Sequence, residues 1–255
     1  MTGALRPKLR LFTSAALSEG GVVDLDKDQA HYLRNVMRAG PGEAVALFNG
    51  RDGEWRAEVD GLSKSSGLLR VTSRLRVQEP GSDLWLLFAP LKKDPVDWLV
   101  EKATELGVSV LWPVITRHTV AQRVNIERLT AHAREAAEQC ERLTAPEVRE
   151  PVALEKALAA WPKERLLFHA DESGKGAPIA QALTGRKEAP HAFLIGPEGG
   201  FAPAELDLLA QCAFVVPIGL GPRLLRAETA ALAALSCRQA LCGAWDDRPP
   251  PRPHL

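Results

Sequence analysis

The chain has 255 residues, 45% hydrophobic and 25% charged, a composition typical of a folded globular protein with a sizeable core. Its 32 basic and 32 acidic residues balance, so the net charge neither indicates nor excludes a nucleic-acid partner. The four cysteines form no CxxC pair and have no histidine at zinc-ligand spacing, so we expect reduced thiols and no metal site. The start lacks the apolar segment of a signal peptide, and no apolar run approaches the roughly 20 residues that span a bilayer. These features predict a cytoplasmic protein without a membrane partner.

Residues 1–80 are predicted to form a small, mostly β domain with one helix. The helix falls in DQAHYLRNVMRAGPGE, which ends in a Gly-Pro-Gly turn. Its apolar residues at helical spacing are Ala30, Leu33, Val36 and Met37. AVALFNGRDGEWRAEV predicts two strands around a glycine-containing turn, and GLLRVTSRLRV predicts a further strand whose alternation breaks at Ser73. The turn residues EPGS then mark a domain boundary.

Residues 81–245 are predicted to form an α/β domain with a parallel sheet. Continuous apolar runs, typical of strands buried on both faces, are LWLLFAP, VSVLWPVI, RLLFHA, HAFLIG and AFVVPIG. Helical patterns lie between and after them, including residues 94–106, residues 125–143 and ETAALAALSCRQALC. This alternation of strands and helices favours an α/β parallel sheet. The proline-rich residues 246–255 are expected to be a flexible tail.

Two loops, LIGPEGGF and IGLGPRLLRAETA, follow predicted strands, and open α/β sheets bind ligands at the carboxyl ends of their strands. Neither loop has the GK[ST] ending of a phosphate loop or the GxGxxG spacing of a dinucleotide loop. Pro197 lacks a backbone donor, and Glu198 would repel a phosphate at about 4 Å by roughly 1 kcal/mol in water, and by more when desolvated. The glycines still allow the backbone to approach a flat ligand. The loops therefore favour an uncharged adenosine with a cationic centre nearby.

GPEGGF followed by LGPRLLRAETA resembles the paired C-terminal motifs of the SPOUT class of RNA methyltransferases. HYLRNVMRAGPGE, WLVEKATELGV and AAEQCERLTAPEV extend this resemblance over essentially the full length, to the RsmE family. The chain departs from the family pattern at Ala227, where the family often has threonine, and at Glu141, where it often has glycine. Glu141 weakens any prediction that this segment binds RNA through a compact glycine turn.

The resemblance implies a specific architecture and reaction. The fold would be a C-terminal SPOUT α/β trefoil-knot domain with a parallel sheet, preceded by a small PUA-like β-barrel that binds RNA. The family methylates N3 of a uridine in small-subunit ribosomal RNA, with S-adenosylmethionine as cofactor, and SPOUT proteins usually act as homodimers. We therefore expect the small ribosomal subunit as partner, together with a second copy of the chain.

The resemblance also implies which residues form the site. We expect Arg226 to stabilise the uridine anion, Glu228 to accept the N3 proton or orient Arg226, and Thr229 to lie at the same loop–helix junction. The expected cofactor contacts are Leu194, Ile195, Gly196, Pro197, Glu198, Gly199, Gly200, Ile218, Leu220, Gly221, Leu224, Leu225 and Thr229. The expected RNA contacts are Arg6, Arg10, Arg34, Arg38, Lys92 and Arg223, with Arg34 and Arg38 four residues apart on one helix face.

Two other functional classes stay open from the residues alone. One is a non-catalytic RNA-binding protein with a degenerate α/β domain, which the intact glycines and Arg226 disfavour. The other is a nucleotide-using α/β enzyme, which the missing phosphate signatures disfavour. The sequence HADE, at His169 to Glu172, is interpreted as a loop after a strand rather than as a set of metal ligands.

Overall fold

The computed structural model describes residues 7–91, 93–120, 123–187 and 189–247, and the predicted tail lies outside these residues from 248 onward. The chain divides into two compact units. The first contains the residues up to Gly81 together with Ala137–Ala145, and the second contains Ser82–Ala136 and the residues from Pro146 on. The helices are α1 (Lys27–His31), α2 (Lys93–Glu105), α3 (Ile126–Gln139), α4 (Leu154–Ala159), α5 (Ile179–Leu183), α6 (Pro203–Gln211) and α7 (Ala227–Cys242).

A five-stranded sheet forms most of the first unit. Its strands are β1 (Leu9–Phe12), β2 (Val22–Leu25), β3 (Ala44–Phe48), β4 (Glu54–Leu62) and β5 (Gly67–Arg76). They lie in the order β1-β3-β4-β5-β2, with β1 parallel to β3 and every other neighbouring pair antiparallel. The pairing of β4 with β5 shifts register between Arg56 and Ala57, opposite Ser73, where the sequence alternation also breaks. The mostly β unit predicted from the sequence is therefore confirmed.

The predicted helix in this unit is shorter and less regular than its sequence pattern suggested. Asp26 caps α1 by accepting from the Gln29 backbone N–H at 2.8 Å, and residues 32–36 then form a π-helical turn. A π-helical turn has more residues per turn than an α-helix, so the apolar positions at α-helical spacing no longer lie on one face. Leu33 is buried, whereas Val36 is 59% exposed. Arg38 follows the turn with φ 56°, so the prediction that Arg34 and Arg38 share one helix face is wrong.

A buried carboxylate connects the sheet of the first unit to residues 137–145. Glu54 accepts from Arg10 at 2.6 Å and from Arg76 at 2.7 and 2.9 Å. Arg10 also donates to the carbonyl oxygens of Ala137, Glu138 and Arg142, and Arg76 donates to that of Glu141. Glu141 has φ 61°, in the left-handed backbone region that favours glycine.

An eight-stranded sheet with only parallel pairs forms the centre of the second unit, as the apolar runs predicted. Its strands are β6 (Leu84–Phe88), β7 (Val110–Ile115), β8 (Glu147–Val148), β9 (Val152–Ala153), β10 (Leu166–Ala170), β11 (Ala177–Pro178), β12 (His191–Ile195) and β13 (Val215–Gly219). They lie in the order β11-β13-β10-β12-β6-β7-β8, with β9 paired to β7.

Helices cover both faces of this parallel sheet. On β12, Phe193 and Ile195 pack with α2, α3, α5 and α7, whereas Ala192 and Leu194 pack with α4 and α6. This alternation explains why all five positions of the strand are buried and four of them, Ala192 to Ile195, are apolar: the strand has no solvent-facing side. Among the described residues, no helix has both the length and the apolar character needed to cross a membrane.

Candidate active site

A cavity of about 1000 Å³ opens at the carboxyl ends of three neighbouring strands of the parallel sheet. These strands are β12, β10 and β13, with β10 between the other two. The loops that follow them form the walls, at the edge where open α/β sheets bind their ligands. Both loops singled out in the sequence therefore face one cavity.

The loop after β12 provides the first wall. Its chain turns back through a hydrogen bond from the Gly200 N–H to the Pro197 carbonyl at 2.9 Å. Gly200 has φ 69°, and a Cβ there would also collide with the Glu172 carboxylate. At Gly196 a Cβ would lie 2.6 Å from the Phe201 ring, so this glycine allows the ring to close over the strand end. The glycines thus shape the wall through close approaches of backbone and side chain.

The loop after β13 and the first turn of α7 provide the second wall. Leu220, Gly221, Leu224 and Leu225 line it together with Arg223. Arg226 is the N-cap residue of α7, has an extended backbone (φ −66°, ψ 154°) and also lines the cavity. The amino end of α7 carries partial positive charge, which favours an anion forming beside it.

The third wall was not predicted from the sequence. It consists of the end of β10, with His169 and Ala170, and of the segment after it, whose lining residues are Asp171, Glu172, Ser173, Gly174 and Gly176. The sequence shows HADE after a strand, but only the strand order places this strand between β12 and β13. His169 and Ala170 belong to β10 itself, so only Asp171 and Glu172 begin the predicted loop, and this loop is part of the cavity.

Buried and charged groups give the third wall a defined protonation state. Burial lowers the pKa of His169, which stands edge-on to the Phe201 ring with centroids 5.0 Å apart. Burial disfavours the Asp171 carboxylate, but hydrogen bonds from the Ser173 backbone (2.9 Å) and hydroxyl (2.8 Å) lower its pKa overall. At neutral pH the wall therefore presents a neutral imidazole and a carboxylate.

Most of the predicted cofactor residues line the cavity, and the others lie behind its surface or beside it. The residues that line the cavity are Ile195, Gly196, Pro197, Glu198, Gly200, Ile218, Leu220, Gly221, Leu224 and Leu225. Leu194 is fully buried in the sheet, and Gly199 lies against His118 instead. Of the predicted catalytic residues, Arg226 lines the cavity, whereas Glu228 and Thr229 stand in the first turn of α7 outside its lining.

The predicted RNA contacts have different outcomes. Arg223 lines the cavity and is exposed, and Arg34 and Arg38 are exposed in the first unit. The prediction for Arg10 is wrong, because its side chain is only 9% exposed, pairs with Glu54 and stacks 3.7 Å from the Phe48 ring centroid. Arg6 and Lys92 lie outside the described residues.

The cavity suits a flat, uncharged base with a cationic group better than it suits a phosphate. Ile195, Ile218, Leu225 and Ala230 supply apolar surface, and the glycine loops supply accessible backbone. The carboxylates of Asp171, Glu172 and Glu198 line the same space, and they would repel a phosphate and attract a cation. These residues therefore fit S-adenosylmethionine, whose sulfonium and ammonium groups are positive.

The fold and this cavity define a two-part RNA methyltransferase. Residues 78–239 match the RNA methyltransferase domain family, and residues 25–72 match the RNA methyltransferase PUA domain family. The ribosomal RNA small subunit methyltransferase E of Rickettsia conorii is 34% identical over 229 residues, which are 89% of this chain and 93% of that relative. The chain belongs to the ribosomal RNA small subunit methyltransferase E family.

Solved structures agree with this assignment. Ribosomal RNA small subunit methyltransferase E from Neisseria gonorrhoeae, bound to S-adenosylmethionine, is 26% identical with a TM-score of 0.83, covering 93% of this chain and 99% of that one. A Legionella pneumophila protein with bound S-adenosylmethionine is 29% identical with a TM-score of 0.80, covering 92% and 98%. The predicted family, fold class and methyltransferase activity are confirmed, and the bound ligand of both structures agrees with the predicted cofactor.

Proposed function

We propose that this protein transfers a methyl group from S-adenosylmethionine to N3 of a uridine in small-subunit ribosomal RNA. The observation that carries the proposal is the cavity at the ends of β12, β10 and β13, with Arg226 at its edge and the amino end of α7 beside it. When bound, the cofactor supplies an electrophilic methyl group. The protein holds the two reactants in line, which is worth roughly 7–11 kcal/mol in well-oriented reactions.

Uridine N3 carries a proton, and the neutral imide is a poor nucleophile. Arg226 and the positive end of α7 stabilise the negative charge that develops on O2 and O4 when this proton leaves. Glu228, in the first turn of α7, accepts the proton or orients Arg226, and Thr229 supports the same turn.

The RNA is held by the first unit and by Arg223 at the mouth of the cavity. Support comes from the exposed Arg34 and Arg38 and from the PUA match over residues 25–72. Such guanidinium groups contact phosphates and fix the position of the RNA rather than read its sequence. Binding that does not weaken as salt is raised would contradict this part of the proposal.

The proposed assembly is a cytoplasmic homodimer with a trefoil knot at the C-terminal end of each chain. Exposed apolar side chains of the second unit support a partner surface: Trp98 is 42% exposed, Leu241 is 49% and Trp245 is 58%. Light scattering should give twice the chain mass of 27.7 kDa. The chain path in an experimental density map tests the knot.

The decisive experiment uses labelled S-adenosylmethionine with unmodified small ribosomal subunits, followed by mapping of the modified base. We expect one N3-methyluridine. Arg226→Ala should bind the cofactor normally by calorimetry and lose methylation by at least a hundredfold, because only the anion-stabilising charge is removed. Normal turnover by Arg226→Ala would refute the assigned role, and absence of label in any RNA would refute the function.

A further inference from the structure

His118 lies outside the cavity lining and contacts the glycine loop after β12, residues 196–202, which is named the cofactor loop. The ring Nδ1 of His118 lies 3.1 Å from the Gly199 carbonyl oxygen and 3.0 Å from that of Gly200. Both distances suit a hydrogen bond shared between the two carbonyls. Because carbonyl oxygens only accept, the tautomer with the proton on Nδ1 is the one that makes these bonds.

The segment that carries His118 follows β7 and is itself fixed. Thr116 is buried, its N–H donates to the Thr119 hydroxyl at 2.8 Å, and the two hydroxyls lie 2.9 Å apart. One oxygen of the buried Glu205 accepts from the Arg117 N–H at 2.8 Å. These bonds hold the backbone of the turn that carries the exposed His118 side chain.

Glu205 also ties this segment to the far end of the cofactor loop. Its second carboxylate oxygen accepts from the Ala202 N–H at 2.8 Å, so one buried carboxylate bridges the segment after β7 and the start of α6. His118 thus contacts the carbonyl oxygens of Gly199 and Gly200, and Glu205 accepts from the N–H of Ala202, two residues further along the loop.

We propose that His118 is a positioning residue that keeps residues 197–200 in their cofactor-binding conformation before the cofactor binds. The inference rests on the proposed function for its cofactor. A loop already held in shape loses less conformational entropy on binding, so His118 acts on affinity rather than on methyl transfer itself. Neither carbonyl needs His118 to be charged, since Nδ1–H donates in both the neutral and the protonated ring.

Four variants of His118 separate the effect of the Nδ1–H donor from the effect of the size of the ring. Asn carries an amide nitrogen at the position of Nδ1, Gln carries one nearer to Nε2, Phe keeps a ring without a donor, and Ala has neither. We expect His118→Ala, His118→Gln and His118→Phe to weaken S-adenosylmethionine binding about fivefold by calorimetry, the equivalent of about 1 kcal/mol for one hydrogen bond. His118→Asn should stay within about twofold of wild type. The matched control is His132→Ala, a partly exposed histidine on α3.

Two further readouts exclude a merely structural role. At saturating cofactor, kcat of His118→Ala should stay within about twofold of wild type while KM for the cofactor rises with the dissociation constant. In the free protein, hydrogen–deuterium exchange of residues 196–202 should be faster in His118→Ala and His118→Gln than in wild type and His118→Asn.

Wild-type affinity and wild-type exchange in His118→Ala would overturn the inference, and so would rescue by Gln but not by Asn. Failure of the wild-type protein to bind S-adenosylmethionine would instead overturn the proposed function. In that case the exchange measurement on the free protein still decides whether His118 holds the loop.

Discussion

Replacing Glu54 by Gln tests the buried ion cluster of the first unit. The Glu54 side chain is 0% exposed, and its carboxylate lies 2.6 Å from Arg10 and 2.7 Å from Arg76. Gln keeps the size and one acceptor oxygen but removes the negative charge. Two guanidinium groups, on side chains that are 9% exposed for Arg10 and 28% for Arg76, then lose their shared counterion.

The pKa of Glu54 sets the size of this effect. Burial disfavours its charged form, but hydrogen bonds from Arg76 and Arg10 outweigh it and lower the pKa from 4.5 to about 2. One pKa unit equals about 1.4 kcal/mol, so the charged form contributes about 3 kcal/mol to the free energy of unfolding at neutral pH. Breaking a buried ion pair typically costs 3–5 kcal/mol, which agrees in magnitude.

The assay is thermal unfolding of wild type and Glu54→Gln from pH 7 to pH 2. A chain of this size loses about 2–4 °C of Tm per kcal/mol, so we expect the variant about 6–12 °C lower at pH 7. A lowered carboxylate pKa stabilises above the unfolded value, and this stability is lost as pH falls through the folded value. The gap between the two proteins should therefore close between pH 4.5 and about 2. A gap that is absent at pH 7, or constant with pH, would refute the reasoning.

Three further predictions concern the cofactor wall, the sheet and the RNA surface. Gly200→Ala should weaken S-adenosylmethionine binding severalfold by calorimetry, because φ is 69° and the new methyl group would displace the end of the Glu172 side chain in the cavity wall; Gly185→Ala, with φ 75° and open space, is the control and should leave affinity unchanged. Burial and the charge of neighbouring arginines lower the pKa of His191 from 6.5 to about 4. Between these pH values the unfolded chain therefore binds a proton at His191 that the folded chain does not bind. Wild-type Tm should fall as pH drops from 6.5 to 4, and His191→Phe should fall less; equal slopes would count against this pKa. Arg34→Ala and Arg38→Ala should each reduce the salt dependence of RNA binding by about one phosphate contact in filter binding, and an unchanged salt slope would exclude the contact.

Local patterns in the sequence were sufficient for the long elements of the second unit, but the short elements β8, β9, β11, α4 and α5 were not predicted. Five largely apolar runs became β6, β7, β10, β12 and β13, because a strand covered by helices on both faces buries its side chains on both sides. The two glycine loops follow β12 and β13 as predicted. The end of a strand, the absence of a phosphate-loop motif and the presence of Glu198 can each be read from a few consecutive residues. Pro197 and Glu198 disfavour a phosphate ligand through a missing donor and a negative charge, and neither property depends on how the chain folds.

Tertiary structure decided which distant segments meet. The order β13-β10-β12 brings residues 171–176 into the cavity, and hydrophobic periodicity does not specify the order of strands in a sheet. Arg10 looked like one of several surface cations, but the fold surrounds it with Glu54, Phe48 and three carbonyl oxygens. His118 lies 81 residues before Gly199 in the chain and touches it only because β7 and β12 end at the same edge of the sheet. The sequence by itself therefore determined the long strands and helices of the second unit, the family and the kind of ligand, whereas the third wall and its supports depend on long-range packing that no local pattern encodes.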